Sequence, residues 1–501
     1  MPTEGVRNLS EAIVRTAAAD PDRDYLTVGK RTYSYGEVNT LIDRCCAWFA
    51  QQGLAEGDVV SAVVENGAEY VVLYMASLRF GTVFNPFPFT MEAQDILSYL
   101  QHIQPRVVFC REQHHARLSD QQQHRVRLLG SAFMDELPQA SEAWPMFAPE
   151  DKSPACLYYS SGTTGNPKCI LFSHANMIAN ISAIVEGFRF DSKERHLIVL
   201  PMGHTASINY SLLPCTLAGG SVVIANSFWS ARPRFWNLIR AHAITYVEVV
   251  PSVLAALLET PFPADASDAL PALRFIGCGS STLPNELQRR FIDRFAVKVA
   301  NLYGLSETGP THVDYPLEPG WEPGSIGVPL SCNHCFIADD DGQALPDGEV
   351  GEIAVRGPNV FIAYRGNQAL YDSVVRDGAF FTGDLGRVDE DGRFWFVGRK
   401  KELIIKGGVN IAPDEIDEVI YKLPGVAISL TVGKADDYLG EKIHSFIVPA
   451  EGAALTEAEI QAHCRSFLSS SKVPDHISFV SAIPAGHSGK FLRREMQRHA
   501  S

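Results

Sequence analysis

Short apolar runs rich in β-branched residues alternate with helical patterns in this chain, and this alternation restricts its fold more than any other feature. The runs lie at residues 59–64, 107–110, 197–200, 222–224 and 246–250. Runs of this length and composition indicate buried strands. Helical patterns lie between them, at residues 36–52, 68–79 and 235–242. Strands that alternate with helices predict an α/β fold, with helices layered on largely parallel sheets.

The pattern changes near residue 325, where short strand-like segments and turns replace the alternation. Asp-Gly dipeptides at 341–342, 347–348 and 391–392 mark turns between these segments. They predict a smaller β-rich subdomain over about residues 325–397, followed by a compact α+β segment. We therefore predict a large N-terminal domain over residues 1–398 and a small C-terminal domain over residues 399–501.

The distribution of charge supports that boundary. The formal net charge is −15, and residues 399–501 carry equal numbers of acidic and basic side chains. Residues 1–398 therefore carry the whole excess of acid. A chain of this kind lacks the basic footprint of a nucleic-acid-binding protein, and we expect no nucleic-acid partner.

The sequence shows neither a membrane span nor a secretion signal. No apolar run reaches the roughly 18 residues that suggest a span, and the N-terminus has no basic region followed by an apolar core. The ten cysteines are scattered and are interpreted as reduced thiols, so we expect a cytoplasmic protein. Cys332 and Cys335 form one CxxC pair, but a zinc site would need a second pair of ligands.

Residues 158–168 read Tyr-Tyr-Ser-Ser-Gly-Thr-Thr-Gly-Asn-Pro-Lys and form the strongest local signal. Glycine lets the backbone approach an anion closely. Hydroxyl groups and exposed backbone N–H groups can surround phosphate oxygens, and Lys168 adds a positive charge. A surface loop rich in Gly, Ser and Thr is the alternative, but the whole string favours phosphate binding. The Walker sequence, GxxxxGK followed by Ser or Thr, does not occur in this chain.

Five segments resemble, in order, the motifs of the adenylate-forming superfamily of acyl-CoA synthetases, peptide-synthetase adenylation domains and luciferases. The loop at 158–168 is similar to the phosphate-binding signature of that family. Residues 301–308 resemble its adenine and magnesium motif, and residues 381–386 its ribose motif. Residues 398–411 resemble its hinge and thiol-tunnel motif, and residues 488–493 its catalytic-lysine motif. The resemblance spans nearly the whole chain and is strongest to a stand-alone acyl-CoA ligase.

The resemblance implies a site for ATP, Mg²⁺ and the pantetheine arm of coenzyme A. It assigns cofactor binding to Ser160, Ser161, Gly162, Gly165, Lys168, Gly279, Ser280, Asn301, Tyr303, Gly304, Ser306, Thr308, Asp384, Arg399, Lys406, Gly407 and Gly408. Glu307 and Thr164 are expected to hold Mg²⁺, a hard cation that prefers carboxylates and phosphate oxygens. Asp384 is expected to accept hydrogen bonds from both ribose hydroxyls, since a carboxylate is only an acceptor.

The resemblance also implies which residues act in catalysis: Lys490, Glu307, Thr163, Thr164 and His204. Lys490 is expected to neutralise the charge of the attacking carboxylate and of the α-phosphate. Charge stabilisation of this kind is often the largest contribution to catalysis.

The acyl pocket is expected to be small and apolar. Its residues, by the same resemblance, are His204, Thr205, Ala206, Val250, Leu302, Gly309 and Pro310, with His204 as a gate. Relatives that activate amino acids place an aspartate near residue 205, whereas the next acid in this chain is Glu248. An unpaired buried ammonium would be costly. We therefore predict an aromatic or short-to-medium aliphatic acid as the substrate, and not an α-amino acid.

Coenzyme A is the expected thiol acceptor, because the acidic balance of residues 1–398 should repel an acidic carrier protein at long range. The alternative acceptor is the phosphopantetheine of a carrier protein acting in trans. The resemblance implies that the small C-terminal domain is mobile and turns about Lys401 between the two half-reactions. Two other classes of function are considered. A luciferase-like oxygenase would share every nucleotide motif, and a non-catalytic nucleotide-binding protein should have lost Lys490 or Glu307, which are both present.

Overall fold

The computed structural model describes residues 5–119, 125–129, 132–139, 142–160, 168–262, 270–484 and 491–500. Across these residues the chain forms helices layered on sheets, with a smaller α+β unit at its C-terminal end. The predicted α/β class is confirmed.

The first sheet is almost entirely parallel. From one edge to the other its strands are Val299–Asn301, Phe275–Cys278, Tyr246–Val249, Arg195–Ile198, Ser221–Ile224, Asp24–Val28 and Arg31–Ser34. The last pair is antiparallel, and the others are parallel. Strands such as Tyr246–Val249 and Phe275–Cys278 are buried along their length, as expected for a parallel sheet covered by helices.

The second sheet combines parallel strands with an antiparallel end. Its strands are, in order, Ala363–Tyr364, Lys168–Ser173, Pro154–Ser160, Val83–Phe87, Val59–Val63, Val107–Cys110 and Arg125–Leu128. Strands Pro154–Ser160 and Lys168–Ser173 are antiparallel neighbours, with Ser160 opposite Lys168. Residues 161–167, which connect these two strands, lie outside the described residues.

Helices fill the space between the two sheets and cover their outer faces. The helix Tyr35–Gln51 begins with a capping box between Ser34 and Glu37 and buries Val38, Ile42 and Phe49 on one side. The helix Ala68–Phe80 is buried almost all round. The remaining helical segments of this part are Glu11–Ala19, Ala93–Ile103, Glu112–Ser119, Phe133–Glu136, His174–Gly187, Ser207–Leu212 (a π-helix), Leu213–Leu217, Phe228–Ala231, Arg232–Arg234 (a 3₁₀ turn), Phe235–Ala241, Pro251–Leu258 and Asn285–Phe295.

A third, antiparallel sheet forms the β-rich part. It consists of His334–Ala338, Gly351–Arg356, Ala379–Val388 and Val375–Arg376, and Phe394–Arg399 also pairs with Ala379–Val388. Two short ribbons, Gly304–Leu305 with Gly309–Pro310 and His312–Val313 with Val328–Pro329, connect it to the first sheet. The helix Gln368–Val374 lies in the same region. Gly342, Gly348 and Gly392 have positive φ at the three turns marked by the sequence.

The C-terminal part has its own sheet and its own apolar core. The strands are Val409–Ile411, Ile404–Lys406, Gly440–Pro449 and Val426–Asp436, with His476–Phe479 paired to Gly440–Pro449. Its helical segments are Lys400–Glu402 (a 3₁₀ turn), Pro413–Tyr421, Glu457–Phe467, Ser470–Lys472 (a 3₁₀ turn) and Arg493–Ala500.

Two polar contacts connect this part to the helix Asn285–Phe295. The Asn285 N–H donates to Glu418 at 2.7 Å, and Arg290 donates to the Val426 carbonyl at 3.0 Å. The apolar core of the C-terminal part is made by its own residues. The proposed boundary at residue 398 stays a prediction.

Some strand ends differ from the sequence expectation. The run at 197–200 forms a strand at Arg195–Ile198, because Arg195 pairs with Ser221 and extends the ladder backwards. The run at 246–250 ends at Val249, because Val250 caps the helix that begins with Pro251. Apolar composition locates a buried strand, but the pairing of its neighbours decides where the strand begins and ends. No helix of the described ranges is long and apolar enough to cross a membrane.

Candidate active site

The candidate residues follow the carboxyl ends of neighbouring parallel strands in the first sheet. The strand Arg195–Ile198 leads to His204, Tyr246–Val249 to Val250, Phe275–Cys278 to Gly279, and Val299–Asn301 to Leu302. Carboxyl ends of parallel strands meet at one edge of a sheet, where open α/β sheets bind ligands. The fold thus collects at one edge several segments that are far apart in sequence.

Backbone packing at this edge is close enough to explain two glycines. A Cβ at Gly279 would lie 2.8 Å from both the Cβ and the carbonyl oxygen of Leu302. A Cβ at Gly304 would lie 2.5 Å from the Gly309 carbonyl oxygen, because Gly304 pairs with Pro310, the residue after Gly309, in a short ribbon. Ser280 has a φ of 66°, a conformation that side-chain-bearing residues adopt rarely and mostly at functional sites.

Asp384 and Arg399 come together as opposite residues of two paired strands. Arg399 Nε lies 3.2 Å from Asp384 Oδ1, and the Tyr303 hydroxyl donates to Asp384 Oδ2 at 2.9 Å. The Asp384 side chain is almost fully buried. Burial, and then the neighbouring Asp384 carboxylate, raise the pKa of Tyr303 well above its usual value, so Tyr303 remains a donor. This cluster brings together one residue from each of three predicted motifs.

Glu307 is held by a tyrosine that the sequence analysis did not identify. The Tyr364 hydroxyl donates to Glu307 Oε1 at 2.8 Å, and Lys168 Nζ lies 4.0 Å from the same oxygen. Tyr364 reaches this position because its short strand pairs with Lys168–Ser173. Burial, and then Glu307, raise the pKa of Tyr364. The phosphate-loop lysine and the expected metal ligand therefore lie side by side, and both contacts use the same carboxylate oxygen.

Other members of the 301–308 segment fix its shape through local hydrogen bonds. The Asn301 N–H donates to Asp314 at 2.8 Å, and the Thr308 hydroxyl donates to the Gly309 carbonyl at 2.8 Å. Burial raises the pKa of Asp314 to about 7. Ser306 is half-buried in the turn that joins Gly304–Leu305 to Gly309–Pro310.

The expected acyl-pocket residues form two groups. Val250 and Leu302 are buried beside the first sheet. Gly309, with a φ of 63°, lies against Asn180, whose amide donates to the Pro310 carbonyl at 2.6 Å. Asn180 also lines a small cavity with Asn209 and Gly309, among other residues. No motif singled out Asn180, since nothing in the sequence connects residue 180 with residue 309.

His204 lies in the turn before the π-helix Ser207–Leu212, with Thr205 and Ala206. The Ala206 N–H donates to His204 Nδ1 at 3.3 Å, and all three residues are half-buried. Asn66 fixes the preceding segment, because it accepts from the Met202 N–H at 2.8 Å and donates to the Leu200 carbonyl at 2.8 Å. π-Helical turns occur frequently at functional sites.

Several expected site residues cannot be placed. Ser161, Gly162, Thr163, Thr164, Gly165 and Lys490 lie outside the described residues, and only the backbone of Ser160 is described.

The expected tunnel segment forms a tight turn in the C-terminal part. Gly407 and Gly408 both have positive φ, 58° and 83°. The Lys406 ammonium binds both carboxylate oxygens of Asp475, at 2.8 and 2.7 Å. The Lys406 side chain is therefore turned to Asp475 in this arrangement.

Lys401 is exposed within the 3₁₀ turn Lys400–Glu402. Its neighbour Glu402 lies 3.8 Å from Arg399 Nη1 and 3.3 Å from Arg493 Nε. Glu402 therefore connects Arg399, at the expected ribose site, with Arg493. Arg493 begins the last helix and lies three residues after Lys490.

Comparison with known proteins agrees with this geometry. A family model described as AMP-binding enzyme matches residues 13–365, and one described as AMP-binding enzyme C-terminal domain matches residues 415–490. The chain is 33% identical to a sulfoacetate–CoA ligase of Cupriavidus necator, over 98% of each chain. It is 30% identical to a feruloyl-CoA synthase of Amycolatopsis sp., over 97% of each. The crystal structure of ATP-bound MatB from Rhodopseudomonas palustris superposes with a TM-score of 0.90 at 27% identity, covering 98% of this chain and 99% of that one.

Proposed function

Because the chain belongs to the AMP-binding enzyme family, we propose that it joins a carboxylic acid to coenzyme A through an acyl-adenylate. In the first half-reaction the carboxylate oxygen attacks the α-phosphorus of ATP and pyrophosphate leaves. In the second, the thiol attacks the acyl carbon, gives up its proton, and AMP leaves. One observation carries the proposal: a buried Asp384 held by Tyr303 and Arg399 stands beside the strand ends that carry the other family motifs.

The nucleotide is proposed to bind at that cluster. Asp384 would accept hydrogen bonds from the ribose hydroxyls, because Tyr303 and Arg399 fix the position of its carboxylate. Gly279 and Ser280 would approach the adenine, where a Cβ at Gly279 has no room. The phosphates would lie toward Lys168, which Glu307 and Tyr364 hold in place.

The residues around Glu307 fit a magnesium ion. Tyr364 and Lys168 both contact Oε1, so the carboxylate is fixed by one oxygen and can present the other to a cation. Mg²⁺ prefers few carboxylates together with phosphate oxygens and water. Bound there with Thr164, it would neutralise phosphate charge during adenylation.

Coenzyme A is the acceptor that the comparisons favour. The relatives from Cupriavidus necator and Amycolatopsis sp., each matched over nearly its full length, are a CoA ligase and a CoA synthase. A carrier protein acting in trans and a luciferase-like oxygenase gain no support from these relatives.

The acid is proposed to be aromatic or short-to-medium aliphatic, and not an α-amino acid. The described part of the segment 204–207 carries no carboxylate that could bind an α-ammonium. The relatives act on acids as different as sulfoacetate and ferulate, so family membership does not select one acid.

A hinge at Lys401 and the boundary at residue 398 are proposed on three grounds. Lys401 is exposed, it follows directly after the Asp384–Arg399 strand pair, and few polar contacts connect the C-terminal part to the helix Asn285–Phe295. A cytoplasmic location stays a prediction that suits the ten unpaired cysteines.

Pyrophosphate exchange tests the reaction. A panel of acids is mixed with ATP, Mg²⁺ and labelled pyrophosphate, with and without coenzyme A. We expect exchange into ATP only with a suitable acid, and AMP with acyl-CoA when coenzyme A is added. Formation of ADP and phosphate would contradict the assignment, and so would an enzyme that loads a carrier protein while coenzyme A at millimolar concentration stays inert.

A further inference from the structure

Glu248 is a buried carboxyl group for which the proposed chemistry has no use. It lies on the strand Tyr246–Val249 and is 2% exposed. Neither of its oxygens has a hydrogen-bond partner among the described residues. Burial raises its pKa to about 8, and no nearby cation counteracts that effect in the described part of the chain. An unsatisfied buried polar group destabilises the fold, and more so if it is charged, so a native structure that contains one calls for a functional explanation.

The surroundings of Glu248 are those of the expected acyl pocket. Its strand partner is Gly277. A Cβ at Gly277 would lie 2.3 Å from the Tyr246 hydroxyl and 2.7 Å from the Leu302 side chain. Tyr246 precedes Glu248 by two residues and therefore lies on the same face of the sheet. Leu302 is one of the residues assigned to the pocket, so Glu248 faces the pocket side of the sheet.

The element that faces Glu248 leaves further polar groups unsatisfied. Tyr210, in the π-helix Ser207–Leu212, lies close enough for the carboxyl group of Glu248 to raise its pKa, after the larger effect of burial. The Tyr210 hydroxyl donates to the Tyr303 carbonyl at 3.0 Å, and so it does not satisfy Glu248. The hydroxyls of Tyr246, Ser207 and Ser211 are also buried without a partner in the described residues.

Glu248 lies deeper than the residues around the carboxylate of the acid. The pocket opens at the carboxyl ends of the strands, where Val250 and His204 lie. A strand rises about 3.3 Å per residue, so the backbone of Glu248 lies roughly 7 Å farther in than that of Val250. A group that contacts Glu248 must therefore be remote from the reacting carboxylate.

We propose that Glu248 is a specificity-determining residue that binds an amino group of the substrate, placed beyond the α-carbon. The inference rests on the proposed acyl-CoA ligase activity. An ammonium can donate to both carboxylate oxygens and supplies the missing counter-charge. A hydroxyl group can donate only one hydrogen bond and brings no charge. A second carboxylate or a sulfonate would bring no counter-charge for Glu248, and in this respect the expected substrate differs from the sulfoacetate for which one relative is named.

Matched pairs of acids test the assignment. The amino members are β-alanine, γ-aminobutyrate, δ-aminovalerate and meta-(aminomethyl)benzoate, and in each partner a methyl group replaces the amino group. Hydroxy acids of the same lengths form a third series. The quantity measured is the ratio of kcat/KM for the amino acid to that for its methyl partner, because this ratio does not depend on the fraction of active enzyme. For the wild type we expect a ratio of at least about ten at the best length.

The variants separate a contact with substrate from a structural role. Glu248→Gln and Glu248→Met should each lower the best ratio at least about tenfold, and Glu248→Met should favour the methyl partner. Glu194→Gln is the matched control, since Glu194 is another buried carboxylate, next to the amino end of the strand Arg195–Ile198 in the same sheet. Its ratio should equal that of the wild type.

The outcomes distinguish the inference from the function on which it rests. If methyl or hydroxy acids are the better substrates at every length, or if the Glu248 variants keep the wild-type ratio, the inference is wrong while the ligase stands. If no acid of any series supports pyrophosphate exchange, the proposed function itself fails, and the inference fails with it.

Discussion

Replacing Glu248 by glutamine should stabilise the ligand-free protein, and increasingly so as the pH rises. The pKa of Glu248 is raised from 4.5 to about 8 by burial. In the unfolded chain the group ionises near its ordinary pKa, whereas the folded protein keeps it protonated. Its contribution to stability is therefore fully present below about pH 4.5 and is lost as the pH rises toward 8. Glutamine does not titrate, so the variant avoids this loss.

The magnitude follows from the shift in pKa. Each unit corresponds to about 1.4 kcal/mol, so the wild type should lose about 3 to 4 kcal/mol of unfolding free energy between pH 5 and pH 8 through this one group. The amide of glutamine also lacks a partner, but that cost is the same at both pH values. The advantage of Glu248→Gln over the wild type should therefore grow by about 3 kcal/mol across this range.

Urea unfolding measures the effect. Wild type and Glu248→Gln are unfolded without ligand at several pH values from 5 to 8. The unfolding free energy of the first transition is compared between the two proteins at each pH. Glu194→Gln is the control with the opposite sign. Burial alone would raise the pKa of Glu194, but His196, Thr245 and Arg274 together lower it, so its ionised form stabilises the fold and its loss should destabilise the protein at neutral pH. If the difference in unfolding free energy between wild type and Glu248→Gln stays the same from pH 5 to pH 8, the reasoning is refuted.

Three further predictions concern the nucleotide site and the hinge. Tyr364→Phe removes the hydrogen bond that fixes Glu307. We expect the Mg²⁺ concentration for half-maximal activity to rise about tenfold, which is the effect of losing one hydrogen bond to a charged group. An unchanged magnesium titration would argue against Glu307 as a metal ligand. Asp384→Asn should lower kcat/KM for ATP by about 10- to 100-fold in pyrophosphate exchange, while ATP and 2′-deoxy-ATP should become nearly equivalent. Lys490→Ala should slow adenylation by a factor of about 10²–10³ and spare thioester formation from supplied acyl-adenylate. Lys401→Pro should spare adenylation and slow thioester formation, because proline fixes φ at the hinge. Equal slowing of both steps in both variants would rule out rotation about Lys401.

The sequence alone determined the class of fold and the order of the motifs. Buried parallel strands need continuous β-branched runs, and this local requirement can be read without knowing the partners of a strand. The loop string at 158–168 and the motif at 301–308 likewise carry their chemistry in consecutive residues, which is why Glu307 could be identified as a metal-ligand candidate.

Only the tertiary structure decided which side chains meet. The contact of Tyr364 with Glu307 and that of Asn180 with the Pro310 carbonyl join residues more than fifty positions apart, through strand pairing and helix packing. Glu248 appeared in the sequence as one acid within an apolar run. Its lack of a partner in the described residues is a property of every element packed around it. Hydrogen-bond satisfaction and burial depend on the whole fold, and for that reason the specificity of the pocket could not be read from the order of its residues.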